Sequence, residues 1–269
     1  MAVTALHAAA TGMKALDTKL DVLANNLANV NTAGFKRSRV NFEDLMYQVK
    51  REPGILNVDD EPIPHGIQVG LGVQVSGTQL DFTQGSVDRT DRPLDMMIDG
   101  EGFFQVRTID NGDEVIAYTR NGAFTRNAEG NIVLSNSGGA ILEPPINVPE
   151  DTLRISIGRN GEVSVLQQGS SVLSVVGQIE LARFVNPEGL NQIGQNLFTE
   201  NDASGVPVTG APQADGLGSI VQGSLEMSNV DPVRELIQLI LTQRAFELNS
   251  QSIQSADQAL QIVANLRRF

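Results

Sequence analysis

Residues 6–34 read LHAAATGMKALDTKLDVLANNLANVNTAG, and this stretch decides how the chain begins. Apolar residues recur every seven positions from Leu6 to Leu27, and a second series follows three residues behind the first. This spacing predicts a long helix with one apolar seam along its length. The N-terminal seam consists of Leu6, Met13, Leu16, Leu20, Leu23, Leu27 and Val30. Gly34 follows, and glycine at such a position favours the left-handed turn that ends a helix.

The last 45 or so residues predict a second long helix, of about 35 residues. Asp231 and Pro232 are typical of an N-cap and the first helical position. The C-terminal seam consists of Leu239, Phe246, Ile253, Ala256, Leu260 and Val263, and four further residues widen the apolar face of its first turns, Leu236, Ile237, Ile240 and Leu241. An isolated helix is marginal in water, so we expect the two seams to pair with each other or with a neighbouring molecule.

Between the two helices the sequence predicts β-structure. Of the 26 glycines, 24 lie in residues 41–224, where they interrupt helices and mark turns. Apolar and polar residues alternate over 103–119 around the turn at 110–114, and again over 153–165 around the turn at 159–161, which predicts two hairpins. Strand patterns at this spacing favour an antiparallel sandwich or barrel.

The sequence therefore predicts an α+β fold class. We expect the long N- and C-terminal helices to form a coiled-coil domain and the middle to form an all-β domain, antiparallel and sandwich- or barrel-like. We divide the chain into an N-terminal helix of the coiled-coil domain (1–35), an extended linker or brace segment (36–75), a central β-domain (76–224) and a C-terminal helix of the coiled-coil domain (225–269).

The linker segment has an unusual composition for a flexible connection. Prolines at positions 53, 62 and 64 stiffen the chain, and the apolar residues before them need a surface against which to bury. We predict that this segment is a brace between subunits of an assembly. The predicted brace residues are Phe42, Leu45, Met46, Tyr47 and Val49.

Composition excludes several classes of protein and of site. The net charge of −13 argues against nucleic-acid binding, because an acidic surface repels phosphate. The absence of cysteine excludes disulfides, zinc–thiolate sites and a cysteine nucleophile, and the two histidines, His7 and His65, leave too few ligands for a multi-histidine metal site. We expect no catalytic residue, no cofactor, no metal and no small-molecule substrate.

Two charged clusters have alternative interpretations. Asp95, Asp99 and Glu101 could serve acid–base chemistry, as in a glycoside hydrolase, but a strand edge in a very acidic domain explains them more simply. The basic cluster Lys36–Arg39 is predicted to pair with a carboxylate of the acidic middle region or of a neighbouring chain. No stretch of about 18 apolar residues occurs, and the first twelve residues lack the pattern of a cleavable secretion signal.

Five strings along the chain carry a family resemblance: 23–36, 85–106, 118–124, 222–230 and 242–250. They resemble the N-terminal, β-domain and C-terminal signatures of bacterial flagellar rod and hook proteins. The resemblance implies a structural subunit and no enzyme: a helical polymer with terminal helices inside and β-domains outside. The chain length and residues 42–54 resemble a distal-rod subunit, the driveshaft that carries motor torque to the hook. Another axial subunit, a different rod protein or a hook-type protein, is the alternative.

The resemblance also implies partners and a location. They are other copies of the chain, proximal rod proteins, the hook protein, the surrounding P and L rings and the flagellar type III export apparatus. The implied location is the basal body, across the periplasm, after export without a cleaved signal peptide.

An enzyme would instead turn over an oligosaccharide or peptidoglycan and lose that activity on Asp99→Asn.

Overall fold

A computed structural model of the chain describes residues 2–53, 64–110, 112–169, 172–214 and 216–266. The chain divides into two compact units. The helical unit comprises Met1–Ala28, Ser38–Gln79 and Asp231–Phe269, and the β unit comprises Asn29–Arg37 and Leu80–Val230. Each unit is therefore assembled from segments that are distant in the sequence.

The helical unit contains both predicted helices, α1 (Ala2–Ala28) and α2 (Pro232–Leu266). Helix α2 is 35 residues long. The carboxylate of Asp231 accepts the N–H groups of Val233 at 3.0 Å and Arg234 at 3.2 Å, which confirms the predicted N-cap. Neither helix, over its described residues, is long and apolar enough to cross a membrane.

The two helices pack against each other in opposite directions. Asn26 Nδ2, near the end of α1, donates to Glu235 Oε2, near the start of α2, at 3.3 Å. A Cβ atom on Gly12 would lie 3.3 Å from Nδ2 of Asn249. These two contacts are equally far apart along both helices and occur in reverse order, so α1 and α2 form an antiparallel pair with a single register.

The prediction of a coiled-coil domain is wrong. The described chain has two α-helices and a strand-rich remainder, and the helix pair lacks a continuous apolar seam. The face of α2 that packs on α1 places buried Glu235 and Thr242 and half-buried Asn249 at alternate seam positions, and in the N-terminal seam only Leu23 is fully buried. A coiled coil needs apolar residues at both core positions of each heptad. In the first half of α2, only one of these two positions is apolar.

Four strands complete the helical unit: β1 (Ser38–Asp44), β2 (Tyr47–Arg51), β3 (Ile67–Gly70) and β4 (Val73–Leu80). Strand β1 pairs with β4, and β2 pairs with β3 as an antiparallel two-stranded ribbon. These strands occupy most of the described part of the segment predicted as a linker or brace. Residues 54–63 of that segment lie outside the described residues.

The β unit is built from short strands. They are β5 (Val87–Arg89), β6 (Met96–Asp99), β7 (Phe103–Asp110), β8 (Asp113–Thr119), β9 (Phe124–Arg126), β10 (Ile132–Leu134), β11 (Ile141–Leu142), β12 (Thr152–Ile157), β13 (Glu162–Gln167), β14 (Ser174–Gln178), β15 (Leu181–Arg183), β16 (Asn191–Gly194), β17 (Leu197–Thr199), β18 (Val208–Gly210), β19 (Ser219–Gln222) and β20 (Ser224–Glu226).

These strands form a nine-stranded sheet, in which β16-β17-β8-β7-β11-β10-β9 follow one another and β15 pairs with β7 and β18. The other strands of the β unit form three separate sheets: a three-stranded sheet, β12-β13-β14, and the two-stranded pairs β19–β6 and β20–β5. Both predicted hairpins are confirmed as antiparallel pairs, β7 with β8 and β12 with β13. The main apolar core combines both sheets, with Phe104, Leu134 and Val163 at 0–1% exposure. The predicted central β-domain fits this architecture.

Candidate assembly surfaces

Helix α2 carries a second apolar face, opposite the one that packs on α1. With about 3.6 residues per turn, its members span roughly 140° of the helix circumference, centred opposite Glu235 and Thr242. We call these residues the outer stripe: Val233, Leu236, Ile237, Ile240, Leu241 and Leu248, each 45–64% exposed. A contiguous exposed apolar surface of this kind marks an interaction site, because water contact with it is unfavourable.

The predicted seam residues of α2 lie on the face of the helix that packs on α1, opposite the outer stripe. In the N-terminal seam, Leu6, Met13, Leu16, Leu20 and Leu27 are half-buried on α1, and half-buried Val30 lies two residues beyond its end. In the C-terminal seam, Leu239, Phe246, Ile253 and Ala256 are half-buried and Leu260 is exposed, while the side chain of Val263 lies outside the described residues. A role of these residues in polymerisation stays a prediction.

Sequence reasoning left the outer stripe out of the candidate site. It treated Leu236, Ile237, Ile240 and Leu241 as a broad margin of the seam, and it did not single out Val233 and Leu248. The available signal was that apolar residues in 233–248 cover two sides of the helix, more than one packing partner can bury.

The exposed ribbon is a second apolar surface of the helical unit, formed by residues 42–51 and 67–70. Met46 is 82% exposed, and Phe42, Tyr47 and Val49 are exposed as well. Leu45 is half-buried and lines a cavity of about 450 Å³ with residues of α1 and β4. Four of the five predicted brace residues are thus exposed and the fifth is half-buried, and their role as a brace stays a prediction.

Three buried charged side chains meet inside the β unit. Lys36, Glu226 and Arg120 are 2%, 1% and 5% exposed. The Lys36 ammonium donates to Glu226 Oε1 at 2.5 Å and to the Thr83 carbonyl at 2.7 Å. Arg120 Nη1 reaches Glu226 Oε2 at 3.4 Å. We call Lys36, Arg120 and Glu226 the buried ion cluster.

Backbone groups complete the buried ion cluster. Gly85 N–H donates to Glu226 Oε1 at 3.0 Å, and Arg120 Nη2 donates to the Gly100 carbonyl at 2.8 Å. Burial lowers the pKa values of Lys36 and Arg120, and the Glu226 carboxylate opposes that change. The cluster therefore holds two cations and one anion out of water, which is favourable only while all three stay paired.

The prediction that the basic cluster 36–39 pairs with a carboxylate of the acidic middle region is confirmed for Arg37. Lys36 binds Glu226, just beyond the acidic middle region, and Arg37 Nη2 lies 3.3 Å from Asp81 Oδ2 within that region. Arg39 instead donates to the amide oxygen of Gln79 at 2.7 Å.

Comparison with known protein families identifies the family to which the chain belongs. Three family descriptions match it: "Flagella basal body rod protein" over residues 6–36, "Flagellar hook protein FlgE/F/G D1 domain" over 97–165 and "Flagellar basal body rod FlgEFG protein C-terminal" over 221–266. The flagellar basal-body rod protein FlgG of Buchnera aphidicola (subsp. Schizaphis graminum) is 44% identical over 264 residues, 98% of this chain and 100% of that protein. The chain belongs to the flagellar basal-body rod proteins.

Two further relatives refine this assignment. FlgG of Agrobacterium fabrum is 43% identical, covering 97% of this chain and 98% of the relative, whereas the flagellar hook-basal body complex protein FlhP of Bacillus subtilis is 30% identical, covering 96% and 97%. The greater similarity to FlgG favours a distal-rod subunit over another axial subunit. The rod protein is a structural component of the flagellar basal body, assembles with other flagellar components and is not an enzyme.

The three carboxylates of the alternative enzyme hypothesis have different environments in the rod protein. Asp95 is buried, with Arg92 Nη1 at 3.9 Å, while Asp99 and Glu101 are exposed and Glu101 lies 3.9 Å from Arg183. Within the described residues, no group of three histidine, aspartate or glutamate side chains could hold a metal ion. His7 Nδ1 lies 3.1 Å from the carbonyl of Leu71, and His65 is exposed.

Proposed function

We propose that the rod protein polymerises with itself into the distal rod and carries motor torque across the periplasm to the hook. The outer stripe of α2 is the observation that supports this most directly. A subunit that worked alone would gain nothing from exposing six apolar residues on one helix face. Burying that face against another copy removes it from water and supplies association energy at each contact.

An open filament needs two different complementary surfaces on each subunit, because a self-complementary patch closes into a dimer. The outer stripe and the exposed ribbon are two different surfaces of each subunit, and we assign each to a separate contact between copies. We assign the stripe, together with the half-exposed remainder of the two seams, to the helix contacts between copies. We assign the ribbon to a brace that ties each copy to the next and resists bending.

The partners at the ends and sides of the filament follow from the family resemblance. We propose proximal rod proteins below, the hook protein above, the P and L rings around the rod and delivery by the flagellar type III export apparatus. Residues 41–224 carry a net charge of −15, which favours a soluble outer wall that does not adhere to neighbouring surfaces.

Electron microscopy of the purified protein tests the proposal. On concentration, we expect filaments or tubes with a helical repeat, since most of the stripe and ribbon side chains are exposed in the described part of the chain. A protein that stays monomeric at all concentrations, in the presence and absence of preformed rod ends, would contradict self-assembly.

The brace gives a prediction on stiffness. We expect Tyr47→Ala with Val49→Ala to preserve assembly but shorten the persistence length of the filaments, because two exposed apolar side chains of β2 lose their contact with the next copy. Gln48→Ala is the matched control, since Gln48 is exposed on the same strand but points to the other face. Persistence lengths can be measured on electron micrographs, and equal stiffness of the double variant and the wild type would reduce the ribbon to a tether.

A further inference from the structure

The buried ion cluster joins parts of the β unit that are far apart in the sequence. Lys36 follows α1 by eight residues, and Glu226 precedes α2 by six. Their side chains are separated by 190 positions along the chain and meet at 2.5 Å. The two chain segments that connect the β unit with the helices are thus bonded to each other inside the β unit.

The segment that carries Lys36 is held on both sides along its length. Gly34 N–H donates to the Glu226 carbonyl at 2.7 Å, and Asn196 Nδ2 donates to the Ala33 carbonyl at 2.9 Å. Arg37 N–H donates to Asn229 Oδ1 at 2.8 Å. We call residues 31–37 the docking segment, because it is hydrogen-bonded to three separate residues of the chain section 80–230 that forms the rest of the β unit.

Gly34 is required for this insertion. Its φ angle is +71°, and a Cβ atom there would lie 2.5 Å from the backbone nitrogen of Asn121. Residues other than glycine are strained at such an angle, and no flexible side chain can move away to make room. The docking segment therefore contacts the β unit closely through its backbone as well as through the side chain of Lys36.

The charges make the docking segment more than a local attachment. Without the Lys36 ammonium, Glu226 Oε1 keeps the Gly85 N–H, and the Thr83 carbonyl loses its charged donor. Without Glu226, two buried cations lose their only carboxylate in the cluster. Buried polar groups left without partners are strongly destabilising, so the β unit is poorly stable whenever either segment is absent.

We propose that docking of residues 31–37 against Glu226 is the closing step of the β unit, so that the unit reaches its final packed state only when the segments after α1 and before α2 are both in place. The docking segment and the two sheets then open and close together as one cooperative unit. The proposed function includes export of the subunit as an extended chain, and one consequence rests on it. During export, the β unit stays open until residue 226 has left the export apparatus.

Hydrogen exchange on the purified full-length monomer tests the proposal without requiring assembly. The variants are Lys36→Met, which removes the buried cation, and Gly34→Ala, which disturbs docking by a backbone clash and removes no charge from the buried ion cluster. Amides to follow are those of Gly34 and Gly85 beside the cluster, and those of Leu134 and Ile179, which donate to Ala140 at 2.7 Å and Gly161 at 2.8 Å in the two sheets. Arg107→Met is the matched control, because the Arg107–Glu143 pair has a 2.6 Å distance but is partly exposed.

We expect each variant to accelerate exchange at all four amides by a similar factor, of at least about 10-fold, while the control leaves the four rates unchanged. Acceleration confined to Gly34 and Gly85 would overturn the proposal, because the docking segment would then be a local strap on an independently stable β unit. A failure of the variants to form filaments has no bearing on this result, since the exchange is measured on the monomer.

Discussion

Replacement of Ile240 by aspartate is expected to abolish filament formation while both units keep their folds. Ile240 is 56% exposed in the middle of the outer stripe, so the charge is tolerated in the single chain. In the polymer the same carboxylate would be taken out of water without a partner, which costs at least several kcal/mol for each contact. Sedimentation and electron microscopy measure the loss of assembly, and circular dichroism with thermal melting checks the fold.

The control for this variant is Gln238→Asp, which adds the same charge to an exposed residue of α2 that lies outside the stripe, roughly 60° around the helix from Leu241. We expect it to assemble at close to the wild-type critical concentration. Normal assembly of Ile240→Asp would show that the outer stripe is not the contact surface.

The largest effect on stability is expected at Gly122. A Cβ atom at this position would lie 1.5 Å from the Met96 carbonyl oxygen, and the three nearest atoms are all backbone atoms of Met96, so no flexible side chain can move away. Gly122 N–H and C=O lie beside β6, where the Met96 N–H donates to the Gly122 carbonyl at 3.0 Å. We expect Gly122→Ala to lower the free energy of unfolding of the β unit by at least about 3 kcal/mol.

Gly138→Ala serves as the control within the same unit. Its nearest neighbour would be the end of the Gln195 side chain at 3.2 Å, which can rotate away. We expect a change below about 1 kcal/mol in urea or thermal unfolding. Similar unfolding midpoints for the two alanine variants would mean that the loop at Gly122 is not packed against β6 as described.

Local sequence patterns predicted the elements that depend on neighbouring residues. The N-cap of α2 follows from residue types within a few positions of that boundary. Helix α1 instead ends at Ala28, six residues before Gly34, although Gly34 adopts the left-handed conformation expected of it. The hairpin from Phe103 to Thr119 follows from alternation around one turn. These features need no information about distant parts of the chain.

Features that depend on distant residues could not be predicted in the same way. The heptad spacing of α2 gives the period but not which of its two apolar faces meets α1, and it does not show that polar Glu235 and Thr242 are preferred on the inner face. The pairing of Lys36 with Glu226 spans 190 positions, and many carboxylates compete for such a lysine in an acidic chain.

The polar residues between α1 and α2 affect how uniformly subunits are spaced along a filament. The Asn26–Glu235 hydrogen bond is made in one register only, and a slip by one heptad would displace α2 by about 10 Å and separate these buried groups. In a filament, each copy is positioned by the copies before it, so an offset within one subunit would add to every later position. The polar pairing therefore gives α1 and α2 the same register in every copy, although it makes the helix pair less stable. Subunits with the same register keep the spacing uniform along the filament.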